Sequence, residues 1–218
     1  MGLVGHIGRI SPISLIGRVA GSALYPDRCG LCDLLGDQSI FDTCAADFGD
    51  VRRTTRLDVD RHLILYHYTG RAGQAVRRLK FSRTTLLAAP MAERLRAAYE
   101  REFAGEVDAI VPVPLHWTRR FMRGFNQSEL LCFALPESLV KPRLLSRVRA
   151  TQPQSSLDPK ARLVSLADAF RAAPAVSGKS ILLVDDVVTS GSTAAECSRT
   201  LRDAGAVSVA LLAFAGSP

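Results

Sequence analysis

The stretch that decides the fold is Ser180–Gly205, SILLVDDVVTSGSTAAECSRTLRDAG. Ile181, Leu182, Leu183 and Val184 form an unbroken apolar run, the pattern of a strand buried on both faces of a parallel sheet. Asp185 and Asp186 close that run with adjacent carboxylates. Thr189, Ser190, Gly191, Ser192 and Thr193 follow, all small or hydroxylated, and an Ala- and Leu-rich helical pattern then stops at Gly205, a natural helix C-cap.

This order has a chemical logic. A loop feeding a helix N-terminus aims unpaired N–H groups and the positive end of the helix dipole at one point, which favours a phosphate. Gly191 permits close backbone approach, and the hydroxyls add donors. Paired carboxylates accept hydrogen bonds from sugar hydroxyls or hold Mg2+ through oxygen and water. The bland alternative is a helix capped by Ser192 or Thr193 with solvent-facing acids; a buried strand ending in Asp-Asp argues against it. VDDVVTSGST resembles the 5-phosphoribosyl-1-pyrophosphate (PRPP) signature of type I phosphoribosyltransferases. Receiver domains also carry adjacent acids at a strand end, but there that strand opens the domain. Here only one helix and one apolar strand, Val207 to Phe214, follow.

The 218 residues can bury one sizeable core plus a small appendage. A hydrophobic share of 47% against 22% charged is that of a globular chain and argues against disorder. The net charge of +7 suits anionic partners, phosphorylated metabolites or nucleic acid. Five scattered cysteines are no secreted disulfide framework. No apolar run reaches bilayer length, and the Gly-, Ser- and Pro-broken N-terminus lacks a leader pattern. A cytoplasmic protein is expected.

Two units are expected. Residues 1–58 carry an N-terminal helix and a zinc-knuckle-like segment; residues 59–218 form the α/β domain, a parallel sheet flanked by helices. Cys29-Gly30-Leu31-Cys32 is a C-x-x-C knuckle and Cys44 follows, but the position that would complete a second knuckle is Phe41. Cys29, Cys32 and Cys44 are thus candidate Zn2+ ligands, with Asp42, Asp47, His62 or His67 as a possible fourth. A small apolar turn is the alternative.

His62–Tyr68 reads as a strand and Arg71–Lys80 as a basic helix, either a solvated face or one wall of a polyphosphate site. A long helix is expected over 86–103, capped by Thr84 or Thr85, with Pro90 in its first turn. Val107–Val111 reads as a strand running into Pro112-Val113-Pro114-Leu115. Arg119, Arg120 and Arg123 then offer guanidinium forks to a pyrophosphate. Asn126 is placed to cap a helix over 128–135, with Cys132 in its core. The Pro-broken basic stretch 141–162 reads as an irregular lid, and Ala169-Phe170 as the start of a short strand.

Taken together, CGLC (29–32), VPVPL (111–115), RGFNQ (123–127), TQPQSSL (151–157) and VDDVVTSGST (184–193) resemble the ComF-type proteins, competence-associated phosphoribosyltransferase homologues with an N-terminal zinc knuckle. The resemblance implies a type I phosphoribosyltransferase fold that transfers phosphoribosyl from PRPP with release of pyrophosphate. Asp185 and Asp186 would hold the ribose directly or through Mg2+, Thr189–Thr193 the 5-phosphate, and Pro112, Val113, Pro114, Arg119 and Arg123 the pyrophosphate. It also implies a link to DNA uptake or nucleotide metabolism, with competence-machinery proteins as partners. A second class of function is a non-catalytic scaffold that binds single-stranded DNA. The chain departs from the family pattern at Phe41, at Ser165 where Asn is usual, and at Asp168 where a small residue is usual.

Overall fold

The computed structural model describes residues 28–49, 57–81, 85–149 and 168–217. In chain order the helices are α1 (Asp42–Ala46), α2 (Gly70–Phe81), α3 (Ala88–Glu102), α4 (Trp117–Arg123), α5 (Gln127–Leu131) and α6 (Ser192–Asp203). The strands are β1 (Arg61–His67), β2 (Ala109–Pro112), β3 (Leu145–Arg147), β4 (Phe170–Ala172), β5 (Ser180–Val188) and β6 (Ser208–Gly216). Among the described residues the main sheet has the order β1-β6-β5-β2, with every pair parallel. β3 and β4 form a separate antiparallel pair.

Alternation along the strands builds two cores. Leu182, Val184, Leu212 and Phe214 face α2, α3 and α5, together with Cys29, Leu31, Cys44 and Phe48 of the knuckle. Ile181, Leu183, Val209 and Leu211 face α6 and the β3–β4 pair. β5 and β6 are therefore apolar on both sides, as strands at the centre of a covered parallel sheet must be. Phe214 is fully buried and meets Tyr66 and Phe48 with ring centroids 5.0 and 5.7 Å away.

Several expectations need correction. β5 does not end at the acidic pair: it runs on to Val188, because β6 continues beside it and pairs Val187 with Ala215 and Val188 with Gly216. It is β2 that stops, at Pro112 opposite Val184, with the Val113 N–H donating to the Val184 carbonyl at 2.9 Å. Pro112 therefore sits inside β2 as its last residue. The long helix opens as a 3-10 turn, Thr85–Leu87, and Leu87 at the N-cap makes no side-chain cap; Thr84 lies outside the described residues. α5 keeps the Asn126 cap but gives way to turns at Cys132, ahead of Pro136. The basic stretch begins as regular structure, since Leu145–Arg147 is β3; residues 150–167, Ser165 among them, lie outside the described residues. So do the expected N-terminal helix within residues 1–27 and the TQPQSSL stretch. Among the described residues no helix is long and apolar enough to cross a membrane.

Candidate functional site

Because β2 ends at Pro112 while β5 and β6 go on, a gap opens at the carboxyl end of the sheet. Open α/β sheets take ligands at such ends. The gap is a cavity of about 440 Å³ lined by Val113, Pro114 and Leu115 on one side and Asp185 to Ala194 on the other, with Lys80, Arg119, Arg123, Gln127, Ser128 and Arg147 around it. The cavity thus brings together the residues singled out above for PRPP except Pro112, the last residue of β2, and Arg120, which pairs with Glu129 at 2.9 Å.

Gly191 sits at the N-cap of α6 with φ 73°, a left-handed conformation that an L side chain adopts only with strain. The Ser190 and Ser192 hydroxyls lie 2.8 Å apart in a mutual hydrogen bond. The helix has no side-chain cap, so its first N–H groups remain directed at the loop. Unpaired N–H groups and the positive end of the helix dipole converge on this loop, which suits an anion.

The two acids are held differently. Asp185 accepts from the Ser128 hydroxyl at 3.0 Å and from the Asp186 N–H at 2.9 Å. Burial, reinforced by the neighbouring Asp186 carboxylate, raises its carboxyl to about 7 despite the opposing pull of Lys80 and these hydrogen bonds. Asp186 is 5% exposed and has the Lys80 ammonium 3.0 Å from Oδ2. That contact is an ion pair without hydrogen-bond alignment, and Oδ2 has no hydrogen-bond partner.

On the opposite wall, Asn126 joins the two sides of the loop. Its amide donates to the Val113 carbonyl at 3.1 Å while its oxygen accepts from the Ser128 N–H at 3.1 Å. Gln127, 2% exposed, accepts from the Arg123 guanidinium at 3.0 Å, and its buried Nε2 has no partner. A buried acceptor on Asp186 and a buried donor on Gln127, both lining one cavity, suit a ligand that offers hydroxyls or a cation on one side and anionic oxygens on the other. Burial lowers the pKa of Arg123, and Arg119 lowers it further against the pull of Asp186; a bound anion would relieve this. Lys80 was legible as part of a basic helix, but Gln127 appeared only within RGFNQ, and Ser128 carried no signal of its own.

The cysteines form a second cluster. The sulfurs of Cys29, Cys32 and Cys44 all lie within 4.8 Å of one another, close enough to hold a metal ion. Burial pushes the Cys29 thiol up, but N–H donors of Phe41, Cys32 and Leu31 outweigh it and bring it to about 7, whereas burial leaves Cys44 at about 11. Among the described residues none of Asp42, Asp47, His62 and His67 joins this cluster; Asp47 lies 4.0 Å from Arg71 instead. Helix α2 ties the cluster to the cavity. Its Arg78 makes two 2.7 Å bonds to Asp33 and one of 3.1 Å to the Gly30 carbonyl, while its Lys80 reaches Asp186.

No protein-family model matches the chain. Among solved structures, the allosteric regulatory enzyme of purine biosynthesis overlaps 58% of this chain and 26% of its own (TM-score 0.37, 20% identity). Glutamine PRPP amidotransferase from B. subtilis, complexed with ADP and GMP, overlaps 64% and 30% (TM-score 0.42, 19% identity). Sequence relatives are nearer. DNA utilization protein YhgH of Salmonella typhi is 40% identical over 149 residues, 65% of this chain and 66% of that protein. Competence protein ComFC of Bacillus subtilis is 26% identical over 80% of this chain and 72% of its own length. The chain spans about two thirds of the length of the curated relatives it matches. Competence protein F of Haemophilus influenzae is 34% identical over 67% of this chain and 68% of that protein, and on that likeness the chain belongs to the ComF family.

Proposed function

We propose that the cavity binds PRPP and that the protein positions it for displacement of pyrophosphate from the anomeric carbon. The observation that carries this reading is the single cavity that joins a helix N-terminus, an acidic pair and a basic wall. The 5-phosphate would take the Thr189–Thr193 loop, where α6 supplies N–H groups and the positive end of its dipole. Asp185 and Asp186 would accept from the ribose hydroxyls, and Asp186 Oδ2, which pairs with the Lys80 ammonium but accepts no hydrogen bond, fits that task. Lys80, Arg119 and Arg123 would hold the pyrophosphate oxygens, with the Gln127 amide as a further donor. Mg2+, held through the acidic pair and PRPP, would neutralise charge on the departing pyrophosphate. In the transfer the bond from the anomeric carbon to the pyrophosphate oxygen breaks, the leaving group keeps the electron pair, and an acceptor's lone pair forms the new bond. The chain's part is orientation and charge stabilisation.

Zn2+ at Cys29, Cys32 and Cys44 would brace the knuckle against α2; three clustered sulfurs fit its preference for thiolates. Calorimetry tests the first step. Wild-type protein should bind PRPP with Mg2+ and the double variant Asp185→Asn/Asp186→Asn should not; undiminished binding by the variant would overturn the site. Pyrophosphate release across a panel of bases and amines then identifies the acceptor.

One observation favours a second reading, in which the protein handles single-stranded DNA during uptake, in keeping with the names of its competence and DNA-utilization relatives. α4 has no buried residue, and it exposes Trp117 (70%), Phe121 (85%) and Met122 (68%) beside Arg119, Arg120 and Arg123. Stacking faces next to arginines suit unpaired bases and their phosphates. Trp117 is the chain's only tryptophan, so oligonucleotide binding there should quench the protein's tryptophan emission and weaken with salt. Unchanged emission at low salt would rule this surface out.

A further inference from the structure

We infer that the cysteine cluster is a three-thiolate metal site whose fourth coordination position is exchangeable and takes a donor from solution, a small thiol in preference to water. This differs from the closed four-thiolate knuckle that family resemblance implies, and it rests on this chain's own residues. The spacing that would place a fourth thiolate three residues before Cys44 places Phe41 there. Its backbone N–H donates to the Cys29 sulfur at 3.5 Å, and its ring lies against Gly36. Phe41 therefore contributes a hydrogen bond to one sulfur and no ligand atom of its own, and among the described residues no fourth ligand joins the three sulfurs. Thiolates sharing one zinc stand about 3.8 Å apart, from bonds of ~2.3 Å at tetrahedral angles. A set of three within 4.8 Å reaches that by a small contraction.

The cluster is not sealed. Cys29 and Cys44 are buried, but Cys32 is partly exposed, and next to it Leu34 and Leu35 are 64% and 56% exposed. A ligand approaching past Cys32 would pass these exposed leucines before reaching an ion held by the three sulfurs. Structural zinc sites are closed by four protein ligands, and a site with three keeps a position for an outside donor. Two features favour a thiolate there. A sulfur-rich set around zinc accepts a further soft donor readily. Arg78, held beside the loop by Asp33 and the Gly30 carbonyl, has Cys29 and Cys32 in its electrostatic neighbourhood and offsets the added negative charge.

The test uses the full chain loaded with Co2+ or Zn2+. With Co2+, titrating 2-mercaptoethanol should shift the visible d–d bands and intensify the sulfur-to-metal charge-transfer absorption. Phe41→Cys should abolish that response and tighten zinc binding on the order of ten- to a hundredfold or more, given that even an outer-shell partner is worth that much. If Phe41→Cys does not fold, X-ray absorption on the wild-type zinc protein decides alone. Three sulfurs and one lighter donor should become four sulfurs when thiol is added. A wild-type spectrum indifferent to thiol, a sulfur count that does not rise, or purified protein that binds neither metal would each overturn the inference.

Discussion

Asp185→Asn is expected to stabilise the ligand-free protein in magnesium-free buffer while abolishing PRPP binding, and the size of the gain should depend on pH. Burial, then the adjacent Asp186 carboxylate, lifts Asp185 from 3.8 to about 7 in the folded state. In the unfolded chain it ionises at its ordinary value. Between those two points the folded protein holds a proton that the unfolded chain has released, so folding becomes less favourable as pH climbs through that window and levels off above it. A tenfold step in acidity is worth about 1.4 kcal/mol, so the window sets a ceiling of roughly 4 kcal/mol. Coupling to Asp186 and Lys80 lowers the expected gain to about 1–3 kcal/mol. Asparagine is pH-indifferent, and its oxygen still accepts from Ser128 and from the Asp186 N–H. Urea unfolding of both proteins near pH 5 and again near pH 8 measures this, and the variant's advantage should be larger at about pH 8. An equal difference at both, or a variant weaker at the higher pH, would refute the reasoning.

The same carboxyl must be ionised to hold a cation, so Mg2+-dependent PRPP affinity should fall as pH drops below about 7, and calorimetry in two buffers of different ionisation enthalpy should register proton release. Gly191→Ala forces a left-handed residue to carry a Cβ that runs into Leu57; thermal melting should show a loss of about 1–3 kcal/mol, and PRPP affinity should fall with it. Phe214→Ala removes a fully buried ring from a three-ring cluster with Tyr66 and Phe48; a loss of about 3–5 kcal/mol is expected from urea unfolding, and much less would mean the neighbours collapse into the gap.

The apolar run at 181–184 marks a strand covered on both faces, and both faces are covered. Its length was not legible, because it depends on β6 continuing alongside while β2 stops, a matter of register between segments far apart in the chain. The hydroxyl-rich loop and the acids could be read locally. Pro112 was read as lying after the strand, because proline after an apolar run marks a strand end without saying on which side of that end the proline falls; it is the last residue of β2. Ser128 joins the site through the Asn126 cap, which turns its hydroxyl to Asp185. That contact comes from tertiary placement and leaves no periodic or compositional trace. The fourth metal ligand was sought among nearby acids and imidazoles; a ligand set is decided in space, and among the described residues none of these groups joins the three sulfurs.

The sheet order has a consequence for biosynthesis. β1 leaves the ribosome early, yet its one partner in the described sheet is β6, with Arg61 opposite Ala210. β2 likewise waits for β5. Apart from the bridge of Ile110 to Val140, the nascent chain must therefore carry two apolar segments without their sheet partners until β5 and β6 emerge, and it then closes the sheet from the middle outward. A ribosome stalled between the last two strands would expose the lengthwise edge of β5, so a chaperone that shields extended hydrophobic segments should crosslink to such a stalled chain far more than to the released protein.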